Sequence, residues 1–235
     1  APHTFNNSCG GNRSGSTAAE PGSGSTIMAY AGICAPNIQN NSDPYFHTVS
    51  ITNIFNFIKS SNGSCSINTE SGNSAPVATL EKTSYYIPHS TAFILEGTAT
   101  DADGDALTYA WEQTDTQVAQ QAPISTNTGG PTFRSLNPKT ESFRYFPALP
   151  QIIEGNLTYT TNTAPFKWEV IPAVKRNMNF SFLVRDNNAN GGQTDRKNVL
   201  LEVEDTAGPF KVTSQSTNEV WDADVNQQAT ITWDV

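Results

Sequence analysis

The apolar positions of the chain keep different periods in different stretches. From Thr48 to Lys59, TVSITNIFNFIK sets Ile51, Ile54, Phe55 and Ile58 at i, i+3, i+4 and i+7, the spacing of one helical face, with Thr48 or Ser50 at hand as N-cap. This is the one helix the pattern predicts. Beyond Pro76 the period shortens. TAFILEGTAT, LTYAWEQ, ESFRYF, NFSFLVRD and NVLLEVED are β-branched or aromatic runs, separated by DADGD, TGGP, NPKT and NNANGG, and they read as strands joined by turns. The fold class expected is mainly β, with an antiparallel β-sandwich of about seven strands. Residues 1 to about 47 hold no sustained period. The polar stretch SSNGSCSINTESGNSAP reads as a linker, and after EDTAGP a further β unit opens with FKVTSQS and reaches ATITWDV. The boundaries expected are 1–65, a linker 66–75, a β-sandwich 76–205, and the start of another β module 206–235.

Composition and charge narrow the partners. Thirteen basic residues against twenty-two acidic ones leave a net charge of −9 among 235 residues. No Lys/Arg cluster tracks a phosphate backbone, so nucleic acid is not an expected partner. No apolar run approaches the length of a transmembrane helix. The three cysteines, Cys9, Cys34 and Cys65, lie in the first third among Gly, Ser and Asn, which suits disulfides in a secreted or cell-surface protein. Cys9 and Cys34 bracket the segment GSGSTIMAYAG and are expected to pair, leaving Cys65 without a partner. The alternative is three unrelated thiols.

That segment carries one of only two methionines, Met28, with Tyr30 two residues on, and His3 stands near the start in APH. A zinc held by three histidines needs its third ligand to return after the helix bearing the first two, commonly over a methionine turn. APHTF, GSGSTIMAYAG and NSDPYFH resemble the C-terminal part of the catalytic domain of reprolysin-like metzincins secreted by bacteria. The resemblance covers about residues 1 to 65. It implies His3 as a zinc ligand, Met28 as the structural methionine of the Met-turn, and Tyr30 as a candidate oxyanion stabiliser, since a phenol beside zinc can donate to a carbonyl oxygen gaining charge. The first two histidines and the general-base glutamate of the motif do not stand before His3, so the expectation is a piece of a metallopeptidase that is inactive by itself. His47 and His89 belong to no helical histidine pair and read as surface or packing residues.

A second constellation is acidic. In TATDADGDALTYAWEQ, Asp101, Asp103 and Asp105 alternate around Gly104, and carboxylates so close repel unless a cation screens them. Calcium takes six to eight oxygens from such loops, and Asp186, in VRDNNANGGQTD, is a further candidate ligand. The unit resembles PKD and cadherin-like domains, in which an acidic loop after an early strand recurs. Trp111 and Trp168 read as core residues.

Together these point to a secreted zinc metalloendopeptidase hydrolysing peptide bonds through a metal-activated water. The resemblance implies zinc as cofactor and proteins or peptides as substrates, with structural calcium expected beside it. The β unit would be a spacer, a substrate-binding aid or an adhesin for a surface or matrix ligand. The rival reading is a non-enzymatic, calcium-stabilised adhesion or binding module.

Overall fold

A computed structural model describes residues 2–118, 120, 122–159, 168–217, 220, 224 and 228–235. In chain order the described elements are α1 (Thr48–Lys59), β1 (Val77–Thr79), β2 (Ser84–Pro88), β3 (Phe93–Glu96), β4 (Thr98–Thr100), β5 (Thr108–Gln113), β6 (Phe143–Phe146), α2 (Leu149–Ile153), β7 (Thr158–Tyr159), β8 (Glu169–Val170), β9 (Arg176–Arg185), β10 (Thr194–Glu204), β11 (Lys211–Val212) and β12 (Trp233–Asp234). The fold is mainly β. Each of the five strand runs read from the sequence overlaps one or two of these strands, though β9 and β10 begin three and four residues before the runs NFSFLVRD and NVLLEVED.

The largest sheet runs β2–β10–β9–β5. β9 and β10 form a long antiparallel hairpin, Val203 opposite Arg176 and Thr194 opposite Arg185, and β5 lies antiparallel to β9. β2, however, runs parallel to β10, Ser84 opposite Leu200. An all-antiparallel arrangement is therefore not what forms. β1 pairs with β4, and the chain then crosses to the other strand group at residues 80–83, entering beside β10 in the same direction. β3 pairs with β6.

One apolar cluster joins these strands. Trp111, Met178, Phe180, Phe182, Val184, Val199, Leu201 and Val203 come from the four-stranded sheet, while Ala78, Leu95 and Phe146 come from β1, β3 and β6. Phe180 meets Phe146 edge to face at 4.9 Å, and Trp111 stacks on Phe182 at 4.8 Å. Sealing one such side chain from water stabilises by about 1.5–3 kcal/mol.

α1 has the bounds its period predicts, but it is anchored differently. The N-cap is His47, whose Nδ1 accepts from Val49 N at 3.2 Å. The buried helical residues are Thr48 and Ser50, whereas Phe55 and Ile58 are 57% and 52% exposed. The helix is held by its polar first turn, for which a carboxylate from β5 is the partner. α2, led by Leu149 and Pro150, was not legible as a period because it is a single short helix. No helix among the described residues is long and apolar enough to cross a membrane.

Candidate functional site

The segment around His3 runs beside residues 20–22. Asn6 N donates to Glu20 O at 2.8 Å, Glu20 N to Thr4 O at 2.9 Å and Asn7 N to Gly22 O at 3.1 Å. Past Gly22 the chain folds back as a turn, with Ala29 N on Thr26 O at 3.0 Å and Tyr30 N on Ser23 O at 2.9 Å. The turn needs Gly24: its φ is +63°, and a Cβ there would stand 2.7 Å from that of Ala29. The return brings three predicted residues together. His3 Nδ1 lies 3.3 Å from Met28 O, and Tyr30 Oη lies 3.0 Å from His3 Nε2. A carbonyl can only accept, so this contact places a proton on Nδ1, and in the neutral ring Nε2 is then the acceptor of the Tyr30 hydroxyl. The rings of His3 and Tyr30 meet edge-on at 4.4 Å, with Phe5 stacked on Tyr30 at 4.5 Å and fully buried. The structure brings Met28 to His3 through its backbone carbonyl, which also accepts from Thr4 N at 3.2 Å.

Beneath this group lies a residue that sequence reasoning missed. Glu20 is 1% exposed, and its carboxylate takes hydrogen bonds from Ser25 N at 2.9 Å, Thr26 N at 3.1 Å, Thr26 Oγ1 at 2.6 Å and the Thr4 hydroxyl. A buried carboxylate is tolerated where its lone pairs are so filled. It ties the residue after His3 to the turn that precedes Met28. The only sequence signal is a single acid among small residues, TAAEPGSGST.

The donor set can be tested against zinc. An imidazole whose other nitrogen donates to a carbonyl is oriented as metal-binding histidines are, and Nε2 of His3 carries the lone pair. One ligand is not a site, since catalytic zinc takes three from protein. Among the described residues the one group of three or more potential metal-binding acids, histidines or cysteines is the Asp cluster described below. His47 is buried as the helix cap, and His89 Nδ1 is 3.0 Å from Ser90 Oγ. The described residues thus offer His3 alone toward a three-histidine site.

In the loop between β4 and β5, Asp101, Asp103 and Asp105 each place a carboxylate oxygen within 4.8 Å of the others. Asp101 Oδ1 accepts from Asp103 N at 2.9 Å and Asp105 N at 3.1 Å, while Asp101 Oδ2 is sealed from solvent with no donor. The stretch before β1 also enters: Ser74 N donates to Asp103 Oδ2 at 2.6 Å, and Asn73 Nδ2 to Asp186 Oδ2 at 2.7 Å. Asp186 borders the trio rather than joining it. Its Oδ1 is engaged by Gln193 N at 2.8 Å and Asn188 N at 3.2 Å, and Asn188 Nδ2 reaches Asp105 Oδ2 at 2.8 Å. Burial would raise the Asp186 carboxyl, but these donors outweigh it and hold it below the usual range. Asp195, half-buried and bonded by Ala78 N, is lowered in the same way.

Cys9 and Cys34 form a disulfide that closes the loop carrying the turn, and Cys65 is free and exposed. Trp111 and Trp168 are both buried, at 4% and 1% exposure. Comparison of the chain with protein families, with curated proteins and with solved structures gave no match.

Proposed function

We propose that residues 2–59 carry the floor of the zinc site of a secreted metalloendopeptidase, whose other two ligands and general base lie in a segment N-terminal to His3. The observation that carries this reading is the meeting of His3, Met28 and Tyr30, three residues chosen from the sequence for that chemistry and separated by up to 27 positions. Zinc bound there would supply Lewis acidity to a peptide carbonyl. The chain's own residues do the rest. The Met28 carbonyl holds His3 in one tautomer, Glu20 fixes the turn beneath it, and the Tyr30 hydroxyl, 3.0 Å from Nε2, is placed to donate to an oxygen gaining negative charge. The test is to read the coding sequence upstream of residue 1 and assay the protein it encodes. An H-E-x-x-H-x-x-G segment running directly into APH, with chelator-sensitive peptide hydrolysis lost in His3→Ala, is the expected result. An unrelated upstream segment overturns the reading.

A second reading, favoured by the sealed and donorless Asp101 Oδ2, gives the β unit a structural calcium at Asp101, Asp103 and Asp105. It is compatible with the first and also serves the rival class, a non-enzymatic adhesion or binding module. Thermal unfolding with calcium and with a chelator checks it. An ion bound only by the native state adds about 2.7 kcal/mol at a hundredfold excess over its dissociation constant, and coincident melting curves would dismiss it.

A further inference from the structure

The residues that hold the floor do not end at residue 59. Glu112, on β5, is fully buried, and both its oxygens serve the N-terminal part of the chain. Oε2 accepts from Thr48 N at 2.6 Å, at the first turn of α1. Oε1 accepts from Ser135 Oγ at 2.6 Å, which in turn accepts from Tyr45 Oη at 2.8 Å. Tyr45 O then accepts from Ile27 N at 3.0 Å, the residue before Met28. Two sets of hydrogen bonds, joined through the covalent frame of Tyr45, therefore link a carboxylate of the four-stranded sheet to the methionine turn. Burial, reinforced by the charge of Glu112, pushes the Tyr45 phenol well above its ordinary range, so the hydroxyl stays a donor. Arg185, from β9, adds a 2.8 Å bond from Nη2 to Phe46 O.

Trp168 packs against a different residue of the same segment, Gly22. It has φ +63°, a strained setting for a bulky residue that persists only when its surroundings demand it. Its ring lies against Gly22 so closely that a Cβ at position 22 would fall 1.7 Å from Cζ3. Gly22 immediately precedes Ser23, whose carbonyl holds Tyr30 N.

We propose that Glu112 and Trp168 are positioning residues for the His3–Met28–Tyr30 group, so that the β unit is a built-in support of the floor and not a tethered accessory. The proposal takes from the metallopeptidase reading only what the floor is for. The coupling itself is a property of this chain and is tested without zinc or substrate. The readout is the tautomer of His3, followed in protein labelled with ¹⁵N-histidine, the resonance being assigned by its loss in His3→Asn. The wild-type protein is expected to show the single Nδ1–H form that the Met28 contact dictates. Glu112→Ala and Trp168→Ala are expected to lose that single form, while methyl resonances of the Phe180–Val203 core stay native. Glu112→Gln, which keeps one carbonyl acceptor, should restore it in part. Should Glu112→Ala fail to fold, Tyr45→Phe decides: it removes only the hydroxyl that ties Tyr45 to Ser135 and is expected to shift His3 in the same direction by less. An unchanged His3 in folded Glu112→Ala and Trp168→Ala, or in Tyr45→Phe where Glu112→Ala does not fold, overturns the proposal. Because peptide hydrolysis does not enter the measurement, that failure would leave the metallopeptidase reading standing.

Discussion

The β unit seals a continuous aromatic and aliphatic cluster, Phe133, Phe146, Phe180, Phe182 and Met178, beside buried polar residues such as Glu112, Arg144 and Glu169; in residues 2–50 the sealed side chains are mostly polar, among them Thr4, Glu20, Ser23, Ser25, Thr26 and Ser50, with Phe5 and Ile38 as the largest fully buried apolar ones. The two interiors obey different physics. Apolar packing is non-directional and tolerates exchange at similar volume. A hydrogen-bonded interior fixes each atom against a named partner, and an orphaned donor there costs the full desolvation of that group. The first kind of interior suits a support. The second suits a place where an imidazole must keep one tautomer and one direction.

Breaking each interior separately sharpens the contrast. The largest loss is expected from Phe180→Ala, at the centre of the aromatic cluster, about 3–5 kcal/mol in urea unfolding. A loss under about 1 kcal/mol would mean that the cluster relaxes into the gap and is no rigid base. Next comes Glu20→Ala, which strands four donors at about 1–3 kcal/mol each before relaxation, so a loss upward of about 3 kcal/mol is expected. Glu20→Gln, which keeps one acceptor oxygen, should lose less. Equal effects of Ala and Gln would show that shape, not hydrogen bonding, matters at this position. Reduction of Cys9–Cys34, 25 positions apart, is expected to cost about 3 kcal/mol through the freed loop. Amide exchange should rise in residues 10–33 and not in β9 or β10, and uniform acceleration would contradict two separately held interiors. The smallest effect concerns the rim of the β unit. Asp186 and Asp195 are depressed in the folded chain, so their contribution is full above the ordinary carboxylate range near about 3.9 and fades as pH falls through their lower folded values. Asp186→Asn should flatten the acid limb of the stability curve, and an unchanged limb would remove these carboxylates from the account.

The same contrast explains what the sequence disclosed. The five principal strand runs announced themselves because periodicity records burial by apolar side chains, whereas α1 keeps the helical period although Phe55 and Ile58 on that face are exposed. β1, β2, β7, β8 and α2 are short and lie outside the apolar runs, and the parallel pairing of β2 with β10 is decided 116 positions away, Ser84 against Leu200. The meeting of His3 with Met28 and Tyr30 was expected only from the resemblance that APHTF and GSGSTIMAYAG carry, and no period of the chain announced it. Glu20 and Glu112 were not legible, because an acid letter carries no sign of whether it faces water or four buried donors. The same holds for Thr48 and Ser50, which the helical pattern assigned to the cap and the structure assigns to the interior.

The contact between Gly22 and the indole of Trp168 binds the mutational fates of two distant positions. Any side chain at 22 collides with the ring and with its own backbone setting at φ +57°, while any smaller residue at 168 opens a void under the loop. Random libraries of this protein should therefore recover both positions almost invariant, and grafting its amino-terminal region onto another carrier would fail unless an equivalent aromatic plate were supplied.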